Sequence, residues 1–166
     1  MPELNLLDLL SADHENLREA DPDSWVSRVS QHLAVERDFL YPAIAENVED
    51  GNTIVEDLRD AERRLEERLR DYEGKASTEH LERVREAIRD HVTVQQKLFA
   101  DLRDVVPEPA LLIPTESIAL SIGGAPTHAH PHLAEGGWLG ALIEDFTSAE
   151  DHILDRLHHK NDGVQR

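Results

Sequence analysis

The 166-residue sequence contains no cysteine, a single methionine and only 4% aromatic residues. Without cysteine there is no disulfide, no thiolate ligand and no thiol nucleophile, so any bound metal must be held by His and carboxylate. With few aromatics, the core falls to Leu, Ile, Val and Ala. Basic residues are scarce as well: 17 Lys+Arg stand against 35 Asp+Glu, a formal charge of −18 with ten His counted as neutral. Such an excess repels phosphate backbones and anionic lipid, and no concentrated basic patch offsets it, which argues against nucleic-acid and membrane partners. Cations suit it better, although most of the acidity belongs to solvated helix faces. No apolar run approaches the ~20 residues that span a bilayer. The segment Met1-Pro2-Glu3-Leu4 lacks the basic and apolar regions of a signal peptide, and the expected location is the cytoplasm. There is no nucleophile elbow and no Gly-rich phosphate loop, which sets aside those hydrolase and nucleotide-binding classes.

What is present is helical periodicity. Proline and glycine crowd into residues 107–140, which marks a boundary near Pro107. Upstream of it, four stretches repeat apolar residues at three- and four-residue spacing. The first begins near Pro2 and carries Leu7, Leu10, His14 and Leu17; Asp21-Pro22 ends it and is expected to cap the next. The second carries Val29, His32, Leu33, Glu36 and Leu40, passes a Tyr41-Pro42 step expected to kink it, and closes at Gly51. The third opens with Thr53 and Glu56 at capping-box spacing, carries Ile54, Leu58, Glu62, Leu65 and Leu69, and stops at Gly74. The fourth starts near Ser77 and carries Leu81, Val84, Ile88, His91, Gln95, Leu98 and Leu102. Connections this short predict an all-α, up-down-up-down four-helix bundle over residues 1–106. A Pro/Gly/His-containing linker is expected over 107–136, including the alternating segment Ser117 to Ile122, and a C-terminal amphipathic helix over 137–160.

Polar residues interrupt every one of the four stripes: His14, His32 and Glu36, Glu62, then His91 and Gln95. Burying a carboxylate or imidazole without a partner costs several kcal/mol, so these groups should find each other or a cation. Counted from the connecting loops they fall at similar depth, within about a helical turn (~5 Å). Residues four apart share a helix face, which lets His32 and Glu36 reach one ion. The pair His91 and Gln95 repeats that spacing, and His14-Glu15-Asn16-Leu17 overlays Glu62-Arg63-Arg64-Leu65, so the first two helices resemble the second two. Taken singly, each residue has a plainer reading: a core histidine hydrogen-bonded rather than ligated, Glu62 paired with an Arg of its own Arg-rich helix, Gln95 satisfying His91. Their coincidence favours a metal.

With Asp13-His14-Glu15-Asn16-Leu17-Arg18-Glu19, His32-Leu33-Ala34-Val35-Glu36 through Leu40-Tyr41-Pro42, and His91 through Leu98-Phe99, the chain resembles the hemerythrin-like family, the HHE cation-binding domains. The resemblance covers about residues 4 to 106, roughly a single-domain length. It implies two non-haem irons held between four helices, with His14, His32 and His91 as terminal ligands and Glu36 as a bridge. Two positions depart from the family pattern, since Glu62 stands where a His is usual and Gln95 where a second bridging carboxylate is usual. Glu62 remains an oxygen ligand suited to iron or manganese, zinc being a further metal for this donor set, while neutral Gln95 is a poor bridge. Glu66, one turn after Glu62, is placed to supply the missing carboxylate. An altered di-iron site, a mononuclear His/Glu site and a former site closed by hydrogen bonds all stay open.

The implied activity is reversible or catalytic reaction with a small oxidant, namely dioxygen, peroxide or nitric oxide. The competing reading is a metal-free or mononuclear-site helical module whose C-terminal helix, Trp138 to His159, contacts a partner or a second copy of the chain. The His128, His130, His132 triplet has alternate-residue spacing fit for a divalent ion, but Pro131 and the nearby glycines favour an exposed linker.

Overall fold

The computed structural model describes residues 2–75 and 77–125. It is mostly helical, with one short antiparallel strand pair. The sequence enters as strand β1 (Glu3–Asn5) rather than as helix, because Leu4 is buried against Ile113 of a later strand and Asn5 is the helix cap, its side-chain oxygen accepting from the Leu7 and Asp8 amides at 3.0 and 3.3 Å. Helix α1 (Leu6–Glu19) follows and buries Leu6, Leu7, Leu9, Leu10, Asp13, His14 and Leu17.

Asp21 makes no side-chain cap; a 3-10 turn, Pro22–Ser24, leads instead into α2 (Trp25–Val35). The helix then widens into a π turn, Glu36–Leu40, before resuming as α3 (Tyr41–Asn47). The irregularity thus lies just upstream of the Tyr41-Pro42 step. Proline has no N–H to return to the carbonyl four residues back, and the wider turn absorbs the defect, with the Tyr41 N–H reaching the Glu36 carbonyl.

Gly51 opens α4 (Gly51–Gly74) instead of closing the preceding helix. A Cβ at Gly51 would sit 2.3 Å from the Ile44 carbonyl oxygen, so only glycine permits this tight corner, and Asp50 takes a left-handed φ of 58° to turn it. The Thr53/Glu56 capping box is consequently not the helix start; the Thr53 amide already donates to the Asp50 carbonyl at 2.9 Å. Helix α5 (Thr78–Val105) begins at Ser77, whose hydroxyl accepts from the His80 amide, and it ends just before Pro107.

The stretch after Pro107, expected as linker, is folded onto the helices as far as residue 125. Helix α6 (Glu108–Leu111) leads to β2 (Leu112–Pro114), which pairs with β1 through Leu4 opposite Ile113. The alternating segment forms α7 (Thr115–Gly124), whose Ile118 and Ile122 are buried one turn apart as it packs on α2. The His128, His130, His132 triplet and the Trp138 to His159 segment lie outside the described residues.

Helix α1 packs on α2 and α5, and α4 packs on α5, α3 and α2. Two apolar clusters result. One gathers Leu6, Leu10, Val35, Leu40, Leu58, Phe99 and the α6–α7 residues; the other gathers Leu17, Trp25, Leu33, Leu65, Ile88 and Val92. Between them on each helix run the polar interruptions: Asp13 and His14 between Leu10 and Leu17, Glu62 between Leu58 and Leu65, Gln95 between Val92 and Phe99. A polar layer divides the core. Among the described residues, no helix is long and apolar enough to cross a membrane.

Candidate metal centre

The layer is built from helix periodicity. The four-residue step carries the His32 side chain onto Glu36 at the start of the π turn, leaving His32 Nε2 2.7 Å from Glu36 Oε1. From α5, His91 Nε2 approaches to 3.2 Å from His32 Nε2 and 3.3 Å from Glu36 Oε1. His14 of α1 completes the group, and one donor atom from each of His14, His32, Glu36 and His91 falls within 4.8 Å of the others. Ligands about 2.0 to 2.1 Å from a common ion stand about 2.8 to 3.4 Å apart, the edges of an octahedron or tetrahedron. The triangle of His32, His91 and Glu36 has two edges in that range, 3.2 and 3.3 Å, and one just below it, 2.7 Å.

Glu36 Oε1 is the atom that decides what the group can do. It is fully buried and pairs in charge with two imidazole nitrogens, at 2.7 and 3.3 Å, yet among the described residues no well-directed N–H or O–H points at it. His14 Nδ1 is likewise buried, with no hydrogen-bond partner among the described residues. Unanswered buried acceptors are costly, and a cation answers several at once. These residues therefore fit a metal ion.

Their surroundings fix the imidazoles. His32 Nδ1 lies 2.7 Å from Asp13 Oδ2, both fully buried, which turns Nε2 toward Glu36 and His91. His14 Nε2 hydrogen-bonds Gln95 Oε1 at 3.0 Å, and its ring stacks on Phe99 with centroids 5.3 Å apart and planes 8° from parallel. Gln95 thus orients His14 and does not satisfy His91.

Glu62 and Glu66 are engaged elsewhere. Arg37, on the π turn beside Glu36, binds Glu62 through Nε and Nη2 and Glu66 through Nη2. The Glu62 partner thus comes from across the helix interface and not from its own Arg-rich helix. Glu62 Oε2 also accepts from the Tyr41 hydroxyl at 2.9 Å, and the same hydroxyl lies 3.4 Å from Glu36 Oε2. So His14, His32, Glu36 and His91 are brought together, Gln95 adjoins them through His14, and Glu62 is joined to Glu36 through one hydroxyl.

Comparison with protein-family models, with curated proteins and with solved structures gives no match.

Burial and charge act on these groups in opposite senses. Burial strongly disfavours a charged His32, but the Glu36 charge close to Nε2 and the hydrogen bond that Nδ1 donates to Asp13 outweigh it and raise its pKa to about 10. Burial also opposes ionisation of Glu36, yet His32 and His91 hold its carboxyl well below the usual range. Asp13, desolvated more than His32 compensates, is raised to about 6. His14, desolvated and facing the other imidazoles, is lowered to about 3, which leaves it a neutral donor. Burial and the Glu36 and Glu62 charges push the Tyr41 phenol far above its ordinary value.

Access is one-sided. His14, His32 and Glu36 are fully buried, whereas the His91 side chain is 7% exposed and lines a cavity of about 330 Å³ between α4 and α5. Gln95, Leu58 and Leu65 share that wall, with Arg64 and Arg68 also lining it.

Sequence reasoning missed Asp13, Arg37 and Tyr41 as members of the layer. Asp13 had a readable signal, since it falls on the stripe Leu6, Leu9 or Leu10, Asp13, Leu17. Tyr41 had none at ordinary helical spacing, because it meets Glu36 five residues away through the π turn.

Proposed function

We propose that the protein is a non-haem metal-binding protein of the hemerythrin-like class, holding an ion on His14, His32, Glu36 and His91 and reacting with or sensing a small oxidant. The observation that carries this is the convergence of His14, His32, Glu36 and His91, with Glu36 Oε1 buried against two imidazoles and, among the described residues, without a well-directed hydrogen bond. In this reading α1, α2 with α3, α4 and α5 make the up-down-up-down four-helix bundle. The donor set of three imidazoles and one carboxylate suits iron, with manganese and zinc as competitors. Iron would supply electron exchange with dioxygen, peroxide or nitric oxide. The protein's own contribution is to hold neutral His14 ready, to orient His32 through Asp13, and to leave only His91 facing the cavity, which admits a small molecule.

In this reading the centre holds one ion where two irons were expected; the engagement of Glu62 and Glu66 by Arg37 and the neutrality of Gln95 support this. The metal-free alternative draws on the His14–Gln95 and His32–Asp13 bonds, which partly satisfy two imidazoles without an ion. It leaves Glu36 Oε1 with the His32 charge beside it but no well-directed hydrogen bond.

The test is elemental analysis of protein made in iron-supplemented cells, alongside Glu36→Ala. The expected result is iron in the parent and loss of most of it in the variant, with near-ultraviolet absorption that changes on addition of peroxide. Metal at background in the parent sinks the proposal, and unchanged metal in Glu36→Ala removes Glu36 from the site.

A further inference from the structure

Glu62 is 4% exposed, and a buried carboxylate needs a positive charge or several donors. One turn further along α4, Glu66 points to the same place, and the two Oε1 atoms share the Arg37 guanidinium. Arg37 itself stands on the π turn next to Glu36, and Glu62 Oε2 reaches Glu36 Oε2 through the single Tyr41 hydroxyl, 2.9 Å on one side and 3.4 Å on the other. Glu62 and Glu66 therefore share one cationic side chain, and Glu62 and Glu36 share one phenol. Oxygen donors of this kind are what a hard divalent cation takes, and a guanidinium satisfies them equally well by paired hydrogen bonds.

We infer that Arg37 sets the capacity of the centre at one ion, its guanidinium supplying the charge that Glu62 and Glu66 would otherwise draw from a second divalent cation. This rests on the metal-binding reading of His14, His32, Glu36 and His91. Arg37 is thus a specificity-determining residue: it neutralises the carboxylates, occupies their oxygens, and cannot itself be a ligand.

The experiment is metal stoichiometry with manganese(II), counted by elemental analysis after gel filtration and by electron paramagnetic resonance. The parent is compared with Arg37→Leu, Arg37→Gln and the double variant Arg37→Leu/Glu62→Gln. The parent should hold about one ion per chain, the two single variants about two, with the broadened resonance of a coupled pair, and the double variant about one again. Arg37→Gln keeps an amide donor toward Glu62 and so guards against simple loss of fold. Two ions in the parent, or one in the folded single variants, overturns the role of Arg37. So does unfolding of both single variants that manganese does not reverse, because a second cation in place of the guanidinium would restore the fold. No ion in the parent or in the variants overturns the metal-binding reading itself.

Discussion

Asp13 Oδ2 and His32 Nδ1 meet at 2.7 Å between α1 and α2, and neither side chain has any exposure. The contact locks the imidazole plane, so that Nε2 has one direction left to face, toward Glu36 Oε1 and His91 Nε2. It also places a carboxylate behind the ring, which raises the basicity of the nitrogen in front. A residue outside the four candidate ligands thereby governs how one of them is presented.

Replacing Asp13 by Asn tests this directly. The amide preserves volume and one hydrogen-bonding oxygen but removes the charge, and loss of such an orienting partner typically lowers metal affinity by about 10- to 100-fold. The expected outcome is a folded protein, helical by circular dichroism, whose iron or zinc dissociation constant rises by that factor in a competition titration with a chelator. An affinity equal to the parent's would show that Asp13 is only a packing partner of His32.

The pH dependence of the metal-stripped protein follows from the same contacts. Folded His32 titrates at about 10 against an ordinary 6.5, so its contribution is complete below pH 6.5 and is lost as pH rises through about 10. On the acid side, His14 is lowered to about 3 and favours the unfolded chain as pH falls below 6.5, while Asp13, raised to about 6, acts in the opposite direction between 6 and 3.8. Glu36, held low, stabilises above its ordinary 4.5 and gives that up as pH falls through its folded value. Thermal melts after chelation should show a lower Tm at about pH 9.5 than at about pH 7, and His32→Gln should flatten that difference. An equal slope in parent and variant would assign the alkaline loss to another group.

Much of this layer could be read from the chain because it obeys helical periodicity. His14, His32, Glu36 and His91 interrupt apolar stripes at matching depth, and these are the residues that converge. The readings that changed involve contacts with no periodic signature. Arg37 reaches Glu62 and Glu66 across a helix interface, and Tyr41 meets Glu36 through a π turn that a regular 3.6-residue wheel does not contain. Gly51 looked like a helix end because glycine usually marks one; here it starts a helix, for want of room beside the Ile44 carbonyl. Strands β1 and β2, at three residues each, are too short for alternation to distinguish them from loop.

Whether residues 107–125 belong to the folded body is decided by Ile118. Proline at 107, 109 and 114 gives this stretch the composition of a linker, in which shortening one isoleucine would have no measurable effect. In the structure Ile118 is fully buried and belongs to the same apolar cluster as Leu6, Leu10 and Leu40, while Ser121 hydrogen-bonds Asp38 of the π turn at 2.7 Å. Truncating a side chain so placed removes its burial and leaves a cavity, a loss of about 2 to 5 kcal/mol. Ile118→Ala should therefore lower the urea midpoint with an unchanged m value, and Leu120→Ala, at a residue 78% exposed on the same helix, should leave the midpoint where it was. Because α7 packs on α2, which carries His32 and leads into the π turn, the Ile118 variant should also loosen metal binding. Equal midpoints for the two variants would detach α7 from the body that holds the centre.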